Sequence, residues 1–556
     1  MTILRAPGLG PLIGHTTPTS CRIWMRADDP EDDKTDLDEN RRTVGVIGLL
    51  EGNAISEAYY FRLPREYDRT GVFCLGEDVD LGQHALDMPD DPAAAAAPRP
   101  LKPDTLYTIC CASLAIDDPF PNDMNVSDAR LRNYLPPINK IKQELLSPDL
   151  DPDRVSRATF RTPPQLAKCA PKLAFLLGSC RYPGLLWKIK EADGIFGPMT
   201  QHLGGKVGNL PAASFTLMVG DQIYADELNR FVPILRADTY AEFQQRYGEA
   251  YGAPNMRQLL RMAPTYMILD DHEIEDNWSQ DRAQRSTTSA HLFNVAITAY
   301  MNYQWCHSPR TFGRLFYYSF DWCGYPFFVL DARTQRYKSD SRIEDNHLLG
   351  KPSIDPAHPS QLDQLLTWLS DQQKKGDGPK FIVSSSVFVP NSMDERTAPN
   401  VDPKNLLNSD AWPGFPATRR RLLQHIVDNK IQNVVFLSGD IHCSNVAEIT
   451  FDGSPDAQKL RAFSITSSAF YWPFPFADGD PNGYVHDSKN PAQSDNFQLT
   501  GASMHYTSKA FTQEDNFCRI DVDQATATIT VVAYDKRGRP IQVDPKTPAE
   551  LKLASW

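Results

Sequence analysis

The sequence predicts an α/β protein with an all-β domain at its N-terminus, and three observations support this prediction. The chain has 556 residues, more than one ordinary hydrophobic core accommodates. Residues 1–165 alternate apolar and polar side chains with a period of two and contain no long amphipathic helix. From Lys172, short apolar runs alternate with helical patterns, which is typical of a sheet covered by helices.

The N-terminal domain is predicted to be a sandwich of the immunoglobulin or fibronectin type. Its clearest strands are 20–27, 54–63 and 104–114. Tyr107 follows a Pro-Asp turn, as in the tyrosine corner of such sandwiches, where the hydroxyl group bonds the turn backbone. The alanine- and proline-rich segment 90–100 is expected in a surface loop, and "ATFRTPP" (158–164) is expected to be the last strand followed by a stiff linker.

The second predicted domain covers residues 172–540, and residues 541–556 are expected to form a C-terminal tail. Six apolar runs are its predicted core strands: 172–180, 215–224, 265–273, 326–336, 380–387 and 433–442. Predicted helices lie between them at 239–251, 289–306 and 360–375. The last helix has Ser360 in position to cap its first turn. Residues 516–535 are expected to add a hairpin to the sheet.

Composition argues against two broad classes of function. A net charge of -13 and a pI near 5.4 disfavour nucleic-acid binding, because that function needs a clustered basic face. No run reaches the roughly 18 apolar residues of a membrane span, and the N-terminus shows no secretion signal, so we expect a cytoplasmic protein. The 10 cysteines include no CxxC pair, so we expect free thiols in a reducing compartment.

Side chains that suit metal chemistry cluster where the predicted strands end. They are Gly178-Ser179-Cys180, Gly220-Asp221 with Tyr224, Asp270-Asp271-His272-Glu273, Asp331 with Arg333, and Gly439-Asp440 with His442. Ligands of open α/β sheets bind at the carboxyl ends of the strands, so these side chains are expected to converge. A single aspartate after a strand is more often a helix cap. Five converging clusters would repel one another without a cation, so the pattern indicates a metal site.

Four of these clusters carry a family resemblance. "GSCRYPG", "GDQIYADE", "DDHEIEDNW" and "SGDIHCS" resemble, in order, motifs of the calcineurin-like metallophosphoesterases and, among them, of the PhoD-like alkaline phosphatase D family. The N-terminal part ending in "FRTPP" is also similar, so the likeness covers nearly the whole chain. The resemblance implies a metallophosphoesterase α/β sandwich behind an N-terminal β-sandwich domain.

The resemblance also implies a first metal ion bound by a thiolate and a phenolate. Asp221 is expected to bridge this ion and a second one. Cys180, Tyr224 and His442 are expected to complete its shell, and because thiolate and phenolate donate strongly to a trivalent ion, Fe3+ is the expected metal. The alternatives are that Cys180 is a buried thiol and that Tyr224 only packs in the core.

The second ion is expected to be Ca2+ or another divalent cation. Asp271 and Asp440 stand where other metallophosphoesterases have Asn and His, and they offer the oxygen ligands that Ca2+ prefers. The wider superfamily also has a histidine on the strand that matches "FIVSSSVFVP", where this chain has the serines 384–386. The expected shell is therefore incomplete, and water or Asn277 is the candidate to fill it.

The same resemblance assigns catalytic and substrate-binding residues. His272 parallels the histidine that contacts the phosphate and protonates the leaving oxygen. Arg333 and Arg336 are candidates to clamp substrate oxygens, although surface arginine is commoner. Asp270 is grouped with them on the substrate side, with a hydrogen bond to His272 expected rather than a metal contact. The aromatic run 469–476 either walls the substrate cleft or seals a core.

These expectations combine into a metal-dependent phosphoesterase. It would hydrolyse phosphomonoesters, phosphodiesters or both by attack of a metal-activated water on a small phosphate-ester substrate. One alternative is a specialised phosphodiesterase acting on a phospholipid headgroup or a cyclic nucleotide. The other is a non-catalytic binding module that a metal stabilises, which an intact DDHE motif argues against.

Overall fold

The protein's architecture is known from a computed structural model. It describes residues 4–28, 42–76, 99–118, 125–151, 155–183, 189–226, 236–311, 315–355, 357–398, 400–474, 479–543 and 549–554. Within these ranges, no helix combines the length and the apolar character needed to cross a bilayer. Of the loop predicted at 90–100, only residues 99–100 fall inside the described chain.

The N-terminal part contains two antiparallel sheets. Its strands are β1 (Leu4–Arg5), β2 (Leu9–Thr16), β3 (Ser20–Arg26), β4 (Arg42–Glu51), β5 (Ala54–Arg62), β6 (Thr70–Gly76), β7 (Leu106–Ile116) and β8 (Arg157–Arg161). One sheet has the order β1-β7-β4-β5 with β8 paired to β7, and the other has the order β2-β3-β6. Apolar side chains of both sheets share a core, where Ile23 and Phe73 lie with Ile47 and Phe61. The hydroxyl group of Tyr107 accepts the Lys102 N–H at 2.7 Å, as a tyrosine corner requires.

The expectation of a purely β N-terminal region is wrong in one respect. Two short helices, α1 (Asp128–Arg132) and α2 (Ile138–Glu144), lie between β7 and β8. Ile138, Ile141 and Leu145 repeat at helical spacing and are buried against the sheet that contains β4 and β7. These helices therefore cover a face that the strands alone leave apolar, and the immunoglobulin-type arrangement stays a prediction.

The rest of the chain forms two further sheets with helices outside them. The strands are β9 (Lys172–Gly178), β10 (Thr216–Met218), β11 (Thr265–Met267), β12 (Tyr318–Trp322), β13 (Tyr325–Val329), β14 (Lys380–Val383), β15 (Val434–Ser438), β16 (Ser444–Gly453), β17 (Ala462–Thr466), β18 (Phe497–Leu499), β19 (Ala502–Thr512), β20 (Asn516–Asp523), β21 (Thr528–Asp535) and β22 (Ala549–Lys552). The helices are α3 (Ile189–Asp193), α4 (Phe196–Leu203), α5 (Tyr240–Gly252), α6 (Pro254–Leu260), α7 (Gln280–Arg285), α8 (Thr287–Tyr303), α9 (Gln361–Lys375), α10 (Pro403–Asn408) and α11 (Pro416–Asp428). The sheet orders are β11-β10-β9-β20-β21-β22 and β12-β13-β14-β15-β17-β16-β19-β18.

The six predicted core strands are divided between these two sheets, which corrects the expectation of one sheet with helices on both faces. Phe175 and Leu217 of the first sheet meet Phe381 and Val435 of the second in one buried cluster. The outer face of each sheet packs on helices instead, α4 to α6 and α8 on one side and α9 and α11 on the other. A core strand is apolar on both faces in one sheet covered by helices and also in two packed sheets with helices outside. The hydrophobic pattern therefore does not distinguish these two arrangements.

Helix α9 and the final hairpin form where the local sequence predicts them. Helix α9 begins after Ser360, whose side chain accepts the Asp363 N–H while the Asp363 carboxylate accepts the Ser360 N–H, which is a capping box. β20 and β21 pair as the predicted hairpin and add to β9. β22, in the segment expected to be a tail, pairs with β21 and extends the same sheet. The proposed domain boundaries stay a prediction.

The N-terminal strands pack directly on the helices of the second part. Trp24 is buried in the same cluster as Tyr247 of α5 and Tyr303 of α8. Its indole N–H donates to the Asn302 carbonyl at 2.7 Å. The two parts therefore share one hydrophobic core, and the predicted linker between them gives no indication of this contact.

Cys169 and Cys323 form a disulfide, contrary to the expectation that all 10 cysteines are free. Their Cα atoms are 5.4 Å apart, and the bond ties the segment before β9 to the turn between β12 and β13. The residues are 154 positions apart, so no local spacing announces the pair. A disulfide is typical of oxidising compartments, so it gives no support to the expected cytoplasmic location.

We predict that denatured, unreduced protein titrates eight thiols, because eight cysteines are free in the structure. Reduction before titration raises the count to all 10 cysteines of the sequence. Ellman titration under denaturing conditions measures both numbers. Replacement of Cys169 by serine is the control, since it leaves nine thiols with or without reductant if no other pair forms. Ten thiols before reduction would contradict the pairing.

Candidate metal centre

The polar clusters after the core strands meet where the two sheets face each other. β9, β10 and β11 run parallel in one sheet, and β13, β14 and β15 run parallel in the other, so each set of carboxyl ends lies at one edge. Gly439, after β15, lies so close to the segment after β9 that an added Cβ atom would be 2.2 Å from Ser179 Oγ. The site is therefore built from loops of both sheets.

The loops turn sharply as they leave the strands. Cys180, Asp221, Asp440 and His442 have φ angles of 57°, 55°, 74° and 51°, in the left-handed region that side chains seldom adopt. Each such residue costs about 1 kcal/mol or more, which only a rigid surrounding structure holds in place. Strain of this kind clusters at functional sites, and here it falls on four of the six expected metal ligands.

The four side chains expected around the first ion are adjacent and buried. Cys180 Sγ lies 3.3 Å from Asp221 Oδ2 and also contacts the Tyr224 hydroxyl group. The Tyr224 hydroxyl oxygen is 3.4 Å from His442 Nε2. The His442 ring stacks on Trp472 with centroids 3.7 Å apart, which fixes the imidazole plane. The thiol, carboxyl, phenol and imidazole groups thus lie around the position expected for the first metal ion.

The carboxylates expected around the second ion are also adjacent. Asp271 belongs to two groups of potential ligand atoms that lie within 4.8 Å of one another, one with Asp221 and His272 and one with Asp270 and Asp440. Asp270 Oδ2 and Asp271 Oδ1 are buried and accept no hydrogen bond among the described residues, although Arg333 Nη2 lies 3.4 Å from Asp271 Oδ1. Buried oxygens without donors lose solvation unless a cation replaces it, so this donor set fits a hard divalent ion.

Burial sets the protonation of these groups. Burial and the nearby Asp270 raise the pKa of Asp221 well above its ordinary value, and burial and Asp270 do the same to Asp440. Burial opposes the charge on Asp271, but Arg333 lowers its pKa below the ordinary value. Burial lowers the pKa of His442 to about 3, so its imidazole is neutral, as a metal ligand must be.

His272 is held by a carboxylate that the sequence analysis did not single out. Its Nδ1 lies 2.6 Å from Asp226 Oδ1, and its ring stacks on Tyr224 with centroids 4.2 Å apart. Burial opposes its positive charge, yet Asp226 and Asp271 raise the pKa of His272 well above its ordinary value. Asp226 thus makes the hydrogen bond that was expected from Asp270. It lies within "GDQIYADE", so the motif contained the signal.

Glu273 connects the loops that carry the carboxylates. Its two oxygens accept the backbone N–H groups of Asp221, Gln222 and Asp270 at 3.1, 2.6 and 2.8 Å. The Gln304 side chain donates a further hydrogen bond at 3.1 Å. The last residue of the DDHE motif is therefore a buried anchor, a role that the sequence analysis left unassigned.

Arg333 and Arg336 are placed differently from the expected substrate clamp. Both side chains are fully buried, with a relative exposure of 0%. Arg333 Nε donates to Asp270, its Nη2 lies 3.4 Å from Asp271 Oδ1, and its Nη1 lies 2.7 Å from Asp410 Oδ2. Arg336 Nη1 also pairs with Asp410. Asp410 lies in a loop without a recognisable motif, so no sequence signal pointed to it.

Of the three serines at 384–386, Ser384 and Ser386 have structural partners, whereas Ser385 Oγ is buried without a hydrogen bond among the described residues. Ser384 Oγ donates to the Ser386 carbonyl at 2.7 Å and accepts the Trp412 indole N–H at 3.2 Å. Ser386 Oγ accepts a hydrogen bond from Arg336. Asn277, the other candidate, has a φ of 54° and donates its N–H to Asp271 Oδ2 at 2.6 Å. It therefore lies beside the second group of carboxylates.

A cavity of about 690 Å³ opens onto these residues. Aromatic side chains form part of its wall: Tyr182, Tyr224, Trp472, Phe474 and Tyr484. Acidic side chains also line it: Asp221, Asp271, Asp276, Glu395, Asp410 and Asp440. Among the described residues, no lysine or arginine lines it. The lining side chain of His272 has a pKa raised well above its ordinary value, which favours its positive charge, and cations bound to the acidic wall would favour a small anionic ligand further.

Two packed sheets with helices outside, and groups of potential acidic metal ligands at the strand ends, are typical of a metallophosphoesterase-like protein. Comparison with protein-family models matches residues 194–527 to the family described as PhoD-like phosphatase. The match covers more than half of the chain, so the chain belongs to the PhoD-like phosphatase family.

One curated relative and two solved structures are also similar to this chain. Alkaline phosphatase D of Bacillus subtilis (strain 168) is 22% identical over 234 residues, 40% of this chain, and the match spans only 38% of that relative's length. A structure described as PhoD covers 99% of this chain and 89% of its own, with a TM-score of 0.58 and 14% identity. Purple acid phosphatase PPD1 from yellow lupin (Lupinus luteus) seeds covers 97% of this chain and 73% of its own, with a TM-score of 0.50 and 10% identity. These two structures share the fold.

We predict that cations bind the metal-free protein with release of protons. Burial raises the pKa values of Asp221 and Asp440, which favours their protonated forms in the metal-free site, so a bound cation displaces protons. Affinity therefore rises with pH. Calorimetric titration with Ca2+ in two buffers of different ionisation enthalpy measures the released protons. Binding heats that do not depend on the buffer would contradict this prediction.

Proposed function

We propose that this chain is a metal-dependent phosphoesterase that hydrolyses phosphomonoesters, phosphodiesters or both. The observation that carries the proposal is the convergence of two groups of potential metal ligands at one cavity, together with His272, a member of one group that Asp226 orients. Two bound cations would polarise the phosphoryl group and activate a water molecule for attack on phosphorus. Membership of the PhoD-like phosphatase family supports the same reaction.

The chain's own contribution is to hold a proton for the leaving oxygen. Asp226 occupies Nδ1 of His272, which leaves Nε2 to carry the proton toward the cavity that His272 lines. Stacking on Tyr224 fixes the plane of the imidazole. Trp472 and Phe474 line the cavity beside these groups, where they exclude water and contact the ester group of the substrate.

The donor chemistry supports Fe3+ at the first site and Ca2+ or another divalent ion at the second. Cys180 and Tyr224 offer a thiolate and a phenolate, which favour a trivalent ion, and neutral His442 and Asp221 complete that set. The second site offers carboxylate oxygens, which suit a hard divalent ion. Asn277 is our candidate for a further oxygen ligand there, because its backbone N–H already bonds Asp271.

The predicted division of the chain is part of this proposal. Every proposed ligand and His272 belong to the segment 172–540, so this segment would be the catalytic domain. The strands of residues 1–165 would support it by packing on α5 and α8. A non-catalytic, metal-stabilised module is less well supported, because such a module has no use for a cavity histidine oriented by Asp226.

We predict that His272→Asn lowers kcat about 100- to 10,000-fold, because the leaving oxygen then departs without a proton donor. The loss is larger for phenyl phosphate than for p-nitrophenyl phosphate, whose leaving group needs less protonation. Steady-state kinetics of metal-replete protein with phenyl phosphate, p-nitrophenyl phosphate and the bis ester of p-nitrophenol measure both effects. His425→Asn, a half-buried histidine of α11 bonded to Ser370, is the matched control with unchanged activity.

Equal losses for both leaving groups would show that His272 is not the proton donor. No hydrolysis of either nitrophenyl ester by metal-replete wild-type protein would refute the proposed activity.

We also predict a visible absorption band in the purified protein, from charge transfer between ligand and Fe3+. Tyr224→Phe weakens or shifts the band because the phenolate is lost. Tyr182→Phe is the matched control, since its ring lies 5.2 Å from that of Tyr224 in the same cavity but belongs to neither group of ligands. A colourless protein that contains zinc alone would refute the assignment of iron.

A further inference from the structure

Asp410 stands between two buried arginines and the substrate cavity. Its Oδ2 forms an ion pair with Nη1 of Arg333 at 2.7 Å, and its Oδ1 accepts a hydrogen bond from Nη1 of Arg336. Both arginine side chains are fully buried, whereas the Asp410 side chain is 17% exposed and lines the cavity. The guanidinium groups are thus covered by a carboxylate on the side where a substrate would bind.

The loop that carries Asp410 is held firmly. Lys338 Nζ donates to the carbonyl oxygens of Asn408 and Ser409 at 2.8 and 3.0 Å. On the other side of Asp410, the Trp412 indole N–H bonds Ser384 Oγ at 3.2 Å. The carboxylate is therefore a fixed part of the wall and not a mobile surface group.

The charges in this network favour a negative wall. Two guanidinium groups, of Arg333 and Arg336, face three carboxylates, of Asp270, Asp271 and Asp410, so one negative charge is in excess. Loss of the Asp410 charge makes the network neutral and leaves Nη1 of both arginines without this acceptor. The Asp410 side chain is the most exposed member of this network and lines the cavity, so loss of its charge changes the field in the cavity most directly.

We propose that Asp410 is a specificity-determining residue that keeps Arg333 and Arg336 away from the substrate and disfavours a phosphoryl group with two negative charges. The proposal rests on the proposed function and adds the charge of the preferred substrate, a monoanionic phosphoryl group. The arginines bind carboxylates in the resting site, so an incoming dianion finds no guanidinium to pair with and meets the field of Asp410.

The test is equilibrium binding of two anions to the metal-loaded protein. Inorganic phosphate is mainly a dianion at about pH 8, above the second pKa of phosphate groups, whereas dimethyl phosphate carries one charge. We expect Asp410→Asn to tighten binding of inorganic phosphate about 10-fold and that of dimethyl phosphate less than about 3-fold, because a released guanidinium gains most from the second charge. Isothermal titration calorimetry gives both constants, with metal content and circular dichroism confirming an intact site.

Two variants separate release of the arginines from a simple loss of charge. Glu395→Gln removes one negative charge from the wall of the same cavity, and no ion pair joins Glu395 to an arginine among the described residues. It is therefore expected to change the preference between the two anions by less than about 2-fold. Arg336→Gln in the Asp410→Asn background is expected to cancel most of the gain in phosphate affinity.

An unchanged preference in Asp410→Asn, or an equal change in Glu395→Gln, would overturn the role of Asp410. Failure of the wild-type protein and all variants to bind either anion would overturn the proposed phosphoester site as well. Anion binding that shifts as expected in a protein that hydrolyses no ester would refute the proposed function alone, since charge selection needs no turnover.

Discussion

The site depends on one electrostatic constraint, the burial of several carboxylates at the junction of two sheets. Asp270, Asp271 and Asp440 bring oxygens within 4.8 Å of one another, and Asp221 lies as close to Asp271. At an effective dielectric constant of about 20, two full charges at such a distance repel by about 3 kcal/mol. The folded chain tolerates this because Arg333 compensates Asp270 and Asp271 from the inside, and His272 faces Asp221 and Asp271 from the cavity side. A bound cation would compensate the remaining carboxylates.

The surrounding structure follows from this constraint. Ligands that repel one another need a rigid frame, and the two sheets supply it because each loop starts from a fully buried strand. Glu273 ties three backbone N–H groups of neighbouring loops to one carboxylate, which resists separation of Asp221 from Asp270. Left-handed turns at Cys180, Asp221 and Asp440 then direct side chains from both sheets to one place. These strained backbone conformations lower the stability of the fold locally, and they hold the candidate ligands in position.

Short-range patterns in the sequence predicted much of this. The capping box of α9, the β20–β21 hairpin and the strand ends that carry Asp221 and His442 all depend on residues close together in the chain. The family motifs placed six candidate ligands in neighbouring positions. The predictions of the helix start and the hairpin succeed because hydrophobic period and turn chemistry act over a few residues, whereas the roles of the six candidate ligands stay predictions.

Features set by distant residues were not predictable. The split of the core strands into two sheets leaves the same apolar pattern as one covered sheet. The sequence makes Arg333 and Arg336 candidate substrate ligands, because no nearby residue indicates that Asp410, more than 70 positions away, pairs with them. The disulfide between Cys169 and Cys323 was not predictable either, because the two residues are 154 positions apart in the sequence. Asp226 and Glu273 lay within motifs, but their partners are backbone and ring atoms that a sequence does not reveal.

The central claim is that the converging side chains hold a pair of cations with Asp221 between them. Elemental analysis of protein loaded with iron and calcium and then desalted tests it most directly, with Asp221→Ala measured beside the wild type. The account predicts two cations per wild-type chain and a loss at both sites in the variant, since one carboxylate serves both ions. Two cations retained by Asp221→Ala, or none bound by the wild type, would contradict it.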